Sequence, residues 1–272
     1  MARSPSRTLP STAVPRSPWG WAVLGLLLGV LPALALFAPA RWLAAGVARA
    51  SAGQVLLAEP RGTVWNGSAQ LLLTGGSGSQ DRAALPGRLQ WQLRPAWAGA
   101  RAVLRADCCT SAAEPLRIAL RAGWGTAHLA LADGRSQWPA AVLTGLGTPW
   151  NTVQPQGQLQ LSTQALALSW ADGRMQLGGG LQLDALDMSS RLSTLRPMGS
   201  YRLALQGSGP APTLTLTTLG GALLLQGSGQ WVGNRLRFTG EATAAPDREA
   251  ALANLLNIIG RRTGARSIIT VG

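Results

Sequence analysis

The side chains that could carry out acid–base or nucleophilic catalysis are few and widely separated along the chain. The 272 residues include one histidine, two cysteines and 11 acidic residues, and all 24 basic residues are arginines. His128 lies beside Leu129 in an apolar run, and no second imidazole exists to build a multi-histidine metal site. The absence of lysine excludes a P-loop and every lysine-based mechanism. The sequence therefore predicts neither an enzyme nor a cofactor.

Two short-range pairs, one of carboxylates and one of cysteines, are the remaining candidates for a chemical site. Asp184 and Asp187 are three residues apart in a strand-rich region, which places them on opposite faces of a strand. Cys108 and Cys109 are adjacent, and adjacent strand residues point to opposite faces, which opposes a bond between them. In an oxidising compartment three states are open for the cysteines: free thiols, a disulfide between the neighbours, or a bond to another chain.

The composition narrows the class of protein further. Hydrophobic residues make up 46% of the chain, which is too many for a disordered protein, and two cysteines cannot form a disulfide framework. The formal net charge is +13, but only 13% of the residues are charged and the arginines are spread along the chain. A scattered positive balance of this kind favours solubility and does not indicate a nucleic-acid partner.

The N-terminal segment predicts where the chain is located. Residues 1–18 are basic with no acidic residue, and residues 19–40 carry no charge at all. The nearly continuous apolar stretch 19–37 would span about 28 Å as a helix, which is enough to cross the hydrocarbon core of a bilayer. We therefore expect a cytoplasmic tail at 1–18 and a transmembrane anchor at 19–40. The residues assigned to this anchor are Trp19, Trp21, Leu26, Leu31 and Phe37.

A cleaved signal peptide is the alternative interpretation of the same segment. The tripeptide 38–40, Ala-Pro-Ala, resembles a small-x-small cleavage site, although the apolar stretch is longer than the usual signal-peptide core. Because the arginines precede the apolar stretch, the N-terminus is expected to stay in the cytoplasm. Both interpretations place residues 41–272 on the periplasmic side of a bacterial inner membrane. Residues 41–58 follow as a connector, either a helix along the membrane surface or a plain link.

Residues 59–246 alternate between apolar and polar side chains, which is typical of half-buried strands. Leu89, Trp91 and Leu93 point one way, for example, while the arginines and glutamines between them point the other. Glycine-rich turns separate the runs and no long helical segment lies between them, so successive strands are expected to be antiparallel. The predicted fold is mainly β: an N-terminal transmembrane helix, a curved antiparallel β-meander whose sheet is open or partly closed, and a short C-terminal amphipathic helix.

The segment 247–272 supplies that C-terminal helix and a tail. Apolar residues recur at i, i+3, i+4 and i+7 on one helical face, which consists of Leu252, Leu255, Leu256 and Ile259. Asp247 is expected to cap the N-terminus of the helix, and Gly260 is expected to end it. The helix should either cover one end of the sheet or dock a partner.

Three features, in this order, resemble the type II secretion system protein N family, also called general secretion pathway protein N. The first is a short basic tail followed by a single anchor. The second is the segment 61–69, which is similar to the G-T-[LV]-W-x-G motif of that family through Gly62, Val64, Trp65 and Gly67. The third is a C-terminal block at 199–262, which runs from Gly-Ser-Tyr-Arg-Leu through the leucine-rich helix to a pair of arginines. A structural role is expected for the motif, because its glycines allow tight backbone geometry.

The resemblance implies a non-enzymatic inner-membrane accessory component of the machine that moves folded periplasmic proteins across the outer membrane. It implies no cofactor, and it implies contacts with other inner-membrane subunits of that system, through the anchor or the periplasmic sheet.

An alternative function is that of a membrane-tethered β-groove like those of AsmA-type proteins, which would handle lipid or envelope biogenesis. A long meander lined with leucine and alanine favours this alternative. Such a groove would be lined by Leu89, Trp91, Leu161, Leu203 and Leu216. A lipid ligand is therefore left open, whereas another small-molecule ligand is not expected.

Overall fold

The computed structural model describes residues 19–171, 174–207, 211–233 and 235–272. The basic tail predicted at 1–18 lies outside the described residues. The chain divides into two compact units, residues 1–38 and residues 39–272. The first unit contributes one described helix, and the second contains the sheet and every other described element.

Helix α1 (Trp19–Leu36) occupies most of the segment in which an anchor is predicted. Its exposed apolar side chains include Trp19, Trp21 and Leu26; Leu31 lies within the helix, and exposed Phe37 follows its last residue. No helix in the described residues has both the length and the apolarity needed to cross a membrane. The transmembrane helix expected over 19–40 is not shown.

Residues 39–272 contain three further α-helices, one 3₁₀ helix and sixteen strands among the described residues. The helices are α2 (Ala40–Ala50), the 3₁₀ helix (Ala140–Leu146), α3 (Trp150–Val153) and α4 (Glu249–Ile259). The first eight strands are β1 (Val55–Gly62), β2 (Asn66–Thr74), β3 (Arg82–Ala84), β4 (Leu89–Ala96), β5 (Gly99–Ala106), β6 (Leu116–Gly123), β7 (Thr126–Leu131) and β8 (Gly134–Pro139). The last eight are β9 (Gln156–Ala171), β10 (Arg174–Ser189), β11 (Gly199–Gly207), β12 (Thr213–Gly221), β13 (Leu223–Val232), β14 (Arg235–Ala244), β15 (Arg261–Thr263) and β16 (Arg266–Val271).

All sixteen strands belong to one antiparallel sheet. Strands that follow one another in sequence pair along most of its width, from β1 at one edge to β15 at the other. The short strands β3 and β8 are the two exceptions. Strand β3 pairs with β2, which also pairs with β4, and β8 pairs with β9, which also pairs with β7. Because β15 does not pair with β1, the sheet is open. The predicted mainly β fold, with an antiparallel sheet and a short C-terminal helix, is confirmed.

One face of the sheet is apolar because leucines of successive strands are in register. Leu161 pairs with Leu183, Leu183 pairs with Leu203, and Leu203 pairs with Leu216. Burying such a row stabilises the fold by about 25 cal/mol for each Å² of apolar surface removed from water. The period-two pattern of the sequence thus becomes a continuous apolar stripe across four strands.

Three separate clusters of buried side chains hold helices against the sheet. Helix α2 contributes Ala40 to a cluster with Ala69 and Trp91. The 3₁₀ helix contributes Val142 to a second cluster that contains Leu85. The third and largest cluster lies under α4. The apolar face is therefore covered piece by piece rather than by a second sheet.

Two expectations for the C-terminal segment need correction. Helix α4 begins at Glu249 and no side chain caps it; Asp247 has a φ of +63°, whereas an N-cap residue needs an extended backbone. The residues beyond the helix, predicted only as a tail, form β15 and β16. Because β16 pairs with β14, the sheet extends past the predicted boundary at residue 246.

An ion pair between β10 and β11 makes stability depend on pH. Arg202 donates hydrogen bonds from Nε and Nη2 to the two carboxylate oxygens of Asp184, each at 2.8 Å. These bonds hold the pKa of Asp184 below its ordinary value, although burial acts in the opposite direction. Because the folded-state pKa is lowered, the pair stabilises the protein above the unfolded-state pKa of about 3.9, and this stability is lost as the pH falls through the folded-state pKa.

Asp184→Asn is expected to lower the free energy of unfolding at pH 7 by about 1 kcal/mol and to flatten its decline below about pH 4. Urea unfolding at a series of pH values measures both effects. Asp187→Asn is the matched control, because this exposed carboxylate of the same strand forms no ion pair with a described residue. An acid dependence that is the same in both variants would contradict the assignment.

Candidate functional site

The turn between β1 and β2 carries the Gly-Thr-Val-Trp-Asn-Gly motif, and the side chain of Trp91 holds it in place. Trp91 is only 3% exposed, and its Nε1 donates hydrogen bonds to the carbonyl oxygens of Thr63 (3.2 Å) and Val64 (3.1 Å). Gly62 enters the turn with a φ of +86°, a conformation that favours glycine. The turn is thus fixed by a neighbouring strand that the motif itself does not include.

Gly67 is a position of the motif at which there is no space for a side chain. A Cβ atom there would lie 2.5 Å from Cζ2 of Trp91 and 2.7 Å from the carbonyl oxygen of Arg61. Trp65 and Val64 are half-buried, and the carbonyl oxygen of Trp65 accepts a hydrogen bond from the Leu93 amide at 2.6 Å. These contacts bind the turn to β4.

An apolar groove of about 390 Å³ lies between the sheet, α3 and α4. Nineteen of its twenty lining residues are Leu, Ile, Val, Met, Ala, Pro, Trp or Tyr, and the sheet supplies Leu159, Leu183, Leu203, Leu216, Leu223 and Leu225. This volume lies in the range of small-molecule sites, which are mostly lined by apolar side chains. The groove can therefore bind an apolar group, but it contains no nucleophile paired with a base.

The four residues predicted to form the apolar face of α4 all pack against the core, and two of them also line the groove. Leu252, Leu255 and Leu256 are buried in the cluster with the sheet, and Ile259 packs against that cluster. Leu255 and Ile259 also line the groove. Half-exposed Ile258, which lies outside the predicted face, lines the groove as well.

Tyr201 lines the same groove, although the sequence pattern had assigned it only to a strand and had given it no functional role. Its hydroxyl is buried and has no hydrogen-bond partner among the described residues. Burial raises the pKa of the phenol above its ordinary value, so the group stays protonated. As the chain's one tyrosine, in a strand of leucines, it was the signal that could have drawn attention to this part of the sheet.

The residues expected to line a lipid groove do not come together as one set. Leu161, Leu203 and Leu216 belong to the leucine row across β9 to β12. Trp91 packs instead under α2, and Leu89 packs against the cluster beneath the 3₁₀ helix. They lie apart because β4 is separated from β9 by three intervening strands.

Cys108 and Cys109 form a disulfide with each other. The strand-geometry objection does not apply, because β5 ends at Ala106 and both cysteines lie in the turn that follows. Cys109 is buried beside Leu85 and Val142, whereas Cys108 is exposed. The bond therefore stiffens a loop next to the 3₁₀ helix.

The other side chains that could take part in catalysis or metal binding, His128, Asp184 and Asp187, do not form a common site. His128 is exposed on β7, where its strand partners are Arg121 and Ser169. Asp184 is engaged by Arg202, while Asp187 is exposed at a bulge. In the part of the chain that the structure describes, no three His, Cys, Asp or Glu side chains are grouped so as to hold a metal ion.

Comparison with known proteins adds to this geometry. Residues 53–269, most of the chain and nearly the whole sheet, match the family described as Type II secretion system (T2SS), protein N. No curated protein and no solved structure matches the chain. The matched region begins before the Gly-Thr-Val-Trp-Asn-Gly turn and ends within β16, so it includes both the motif and the C-terminal block. The resemblance noted in the sequence is confirmed: the chain belongs to the type II secretion system protein N family.

Proposed function

We propose that this protein is a non-enzymatic accessory component of the type II secretion system at the bacterial inner membrane. In that role it aids the transport of folded periplasmic proteins across the outer membrane. The observation that carries the proposal is the family match over residues 53–269. The described residues add to it an antiparallel sheet with an apolar groove, which offers a binding surface for a partner.

The proposal includes attachment through the segment 19–40, with the N-terminus in the cytoplasm and the sheet in the periplasm. Support comes from the absence of charge over these residues and from three arginines within residues 1–18. The exposed apolar side chains along α1 also favour a non-aqueous environment for this segment. Its partners would be inner-membrane subunits of the same system, contacted through the anchor or the sheet.

Deletion of the gene tests the proposal. Secreted hydrolases should then accumulate in the periplasm, folded and active, and their activity in the medium should fall. Expression of the chain from a plasmid should restore secretion, which excludes effects on neighbouring genes. Unchanged secretion at normal levels of the other subunits would contradict the proposal. Altered lipid composition of the envelope with normal secretion would favour the lipid-handling alternative instead.

A further inference from the structure

The hairpin turns of the sheet bring two fully exposed tryptophans to one end of it. In an antiparallel meander every second turn lies at the same end, so the β4–β5 and β6–β7 turns are neighbours across the β5–β6 pair. Trp97 in the first turn is 100% exposed, and Trp124 in the second is also fully exposed. Indole rings usually find apolar surroundings and a partner for the N–H, and neither ring has them within the sheet.

Three arginines lie in the strands next to these turns, within four residues of a tryptophan. Arg94 pairs with Arg101 across β4 and β5, and Arg121 lies on the same face of the neighbouring strand β6. All three are exposed, and none forms an ion pair with another described residue. Like charges placed directly opposite each other destabilise a sheet, so an external anion would relieve this arrangement. We call Trp97, Trp124, Arg94, Arg101 and Arg121 the tip surface.

No acidic residue of these two hairpins offsets the charge. The segments 89–106 and 116–131 contain five arginines and no aspartate or glutamate. The nearest acidic residues that follow in sequence lie beyond the strand ends farthest from these turns: Asp107 after β5, Glu114 before β6 and Asp133 after β7. The tip surface is therefore basic and aromatic, while acidic groups lie at the other ends of these strands.

The chain also enters the sheet unit at this end. Pro39, the first residue of the unit, forms a β-bridge with Thr63 in the β1–β2 turn. That turn lies at the same end of the sheet as the β4–β5 turn, because β1 and β4 both pair antiparallel with β2. Residue 39 therefore lies at the end of the sheet that carries the tip surface.

We propose that the tip surface docks on a lipid bilayer, with Trp97 and Trp124 in the head-group region and the three arginines on anionic lipid phosphates. Indoles concentrate at membrane interfaces, and the arginine fork matches phosphate geometry. An acidic protein surface would satisfy the arginines, and indoles also occur at protein interfaces, so the choice between the two partners depends on where this end of the sheet lies. This inference rests on the proposed attachment through the segment 19–40: with that attachment, residue 39 holds this end of the sheet near the bilayer, which favours lipid over a protein partner.

Fluorescence quenching in reconstituted vesicles tests this proposal on the full-length chain. Trp124→Cys is labelled with an environment-sensitive dye, without reductant so that the disulfide stays intact, in vesicles of phosphatidylethanolamine and phosphatidylglycerol. Acyl-brominated lipid is expected to quench this label. The same label at Ala141→Cys, an exposed position of the 3₁₀ helix near the other end of the sheet and outside the groove, should not be quenched. The readout does not involve secretion, so this proposal and the proposed function can fail separately.

A variant that lacks the three arginines of the tip surface measures how much their charge contributes to docking. Each arginine near an anionic surface contributes about a fivefold preference, so Arg94→Gln, Arg101→Gln and Arg121→Gln together should lower the docked-to-undocked ratio about a hundredfold. The matched control removes the same charge elsewhere, by substituting glutamine for exposed Arg191, Arg196 and Arg248. Absence of quenching at position 124, equal quenching at position 141, or equal loss in both charge variants would overturn the proposal. A response at position 124 only after other secretion subunits are added would overturn it in favour of a protein partner.

Discussion

Replacing Leu256 by alanine lowers the free energy of unfolding by an expected 2–5 kcal/mol, the range for large-to-small changes in a packed core. Leu256 is fully buried, in the cluster that joins α4 to the sheet. Truncation removes apolar contacts and leaves a cavity that the flanking strands β14 and β16 cannot close, because their register is fixed by ladder hydrogen bonds. Since α4 covers the apolar groove, the same change should also loosen one of its walls.

Urea unfolding of the full-length chain in a mild detergent, followed by tryptophan fluorescence, measures the loss. Asn254→Ala is the matched control, because Asn254 is exposed on the same helix and alanine favours helix formation. The control should change stability by less than about 0.5 kcal/mol. Equal stability of the two variants would mean that α4 does not pack on the sheet.

Gly67→Ala is expected to destabilise the protein by about 1–3 kcal/mol, as is typical when a methyl group is forced into occupied space. The new Cβ would meet the ring of Trp91 on one side and the Arg61 carbonyl oxygen on the other. Relief requires Trp91 to move, and this movement would break its hydrogen bonds to the carbonyl oxygens of Thr63 and Val64. The cost therefore includes packing and hydrogen bonding together.

Gly134→Ala is the appropriate comparison, because Gly134 is also in a strand and an added Cβ would meet nothing within 4 Å. Thermal unfolding of both variants, read by tryptophan fluorescence, should show a lower midpoint for Gly67→Ala alone. If both glycines tolerate alanine equally, the motif does not act through close contact with Trp91.

The sheet and α4 could be predicted because each depends on a local period. Apolar side chains at every second residue mark strands such as β4, and the spacing of Leu252, Leu255 and Leu256 marks a helix face. The β15–β16 hairpin was missed because β15 has three residues, too few to show a period. The role proposed for Asp247 failed because a cap depends on backbone angles that residue type alone does not determine.

Sites whose residues are distant along the chain and come together only through strand pairing could not be predicted from the sequence. The groove combines α3 with strands from β9 to β13 and with α4, which are distant along the chain. Trp97 and Trp124 become neighbours only because β5 pairs with β6. Trp91 was correctly predicted to point to the apolar face, but its contact with the Gly67 turn depends on β4 pairing with β2 rather than with β3.

Crosslinking in living cells tests the central claim most directly, which is that this chain works within the type II secretion machinery. The tagged full-length protein is crosslinked at native expression, purified, and analysed by mass spectrometry for both proteins and lipids. The account predicts recovery of inner-membrane subunits of that system, with lipid adducts confined to the segment 19–40 and the tip surface. Recovery of phospholipid or lipopolysaccharide along the groove without any secretion subunit would contradict it.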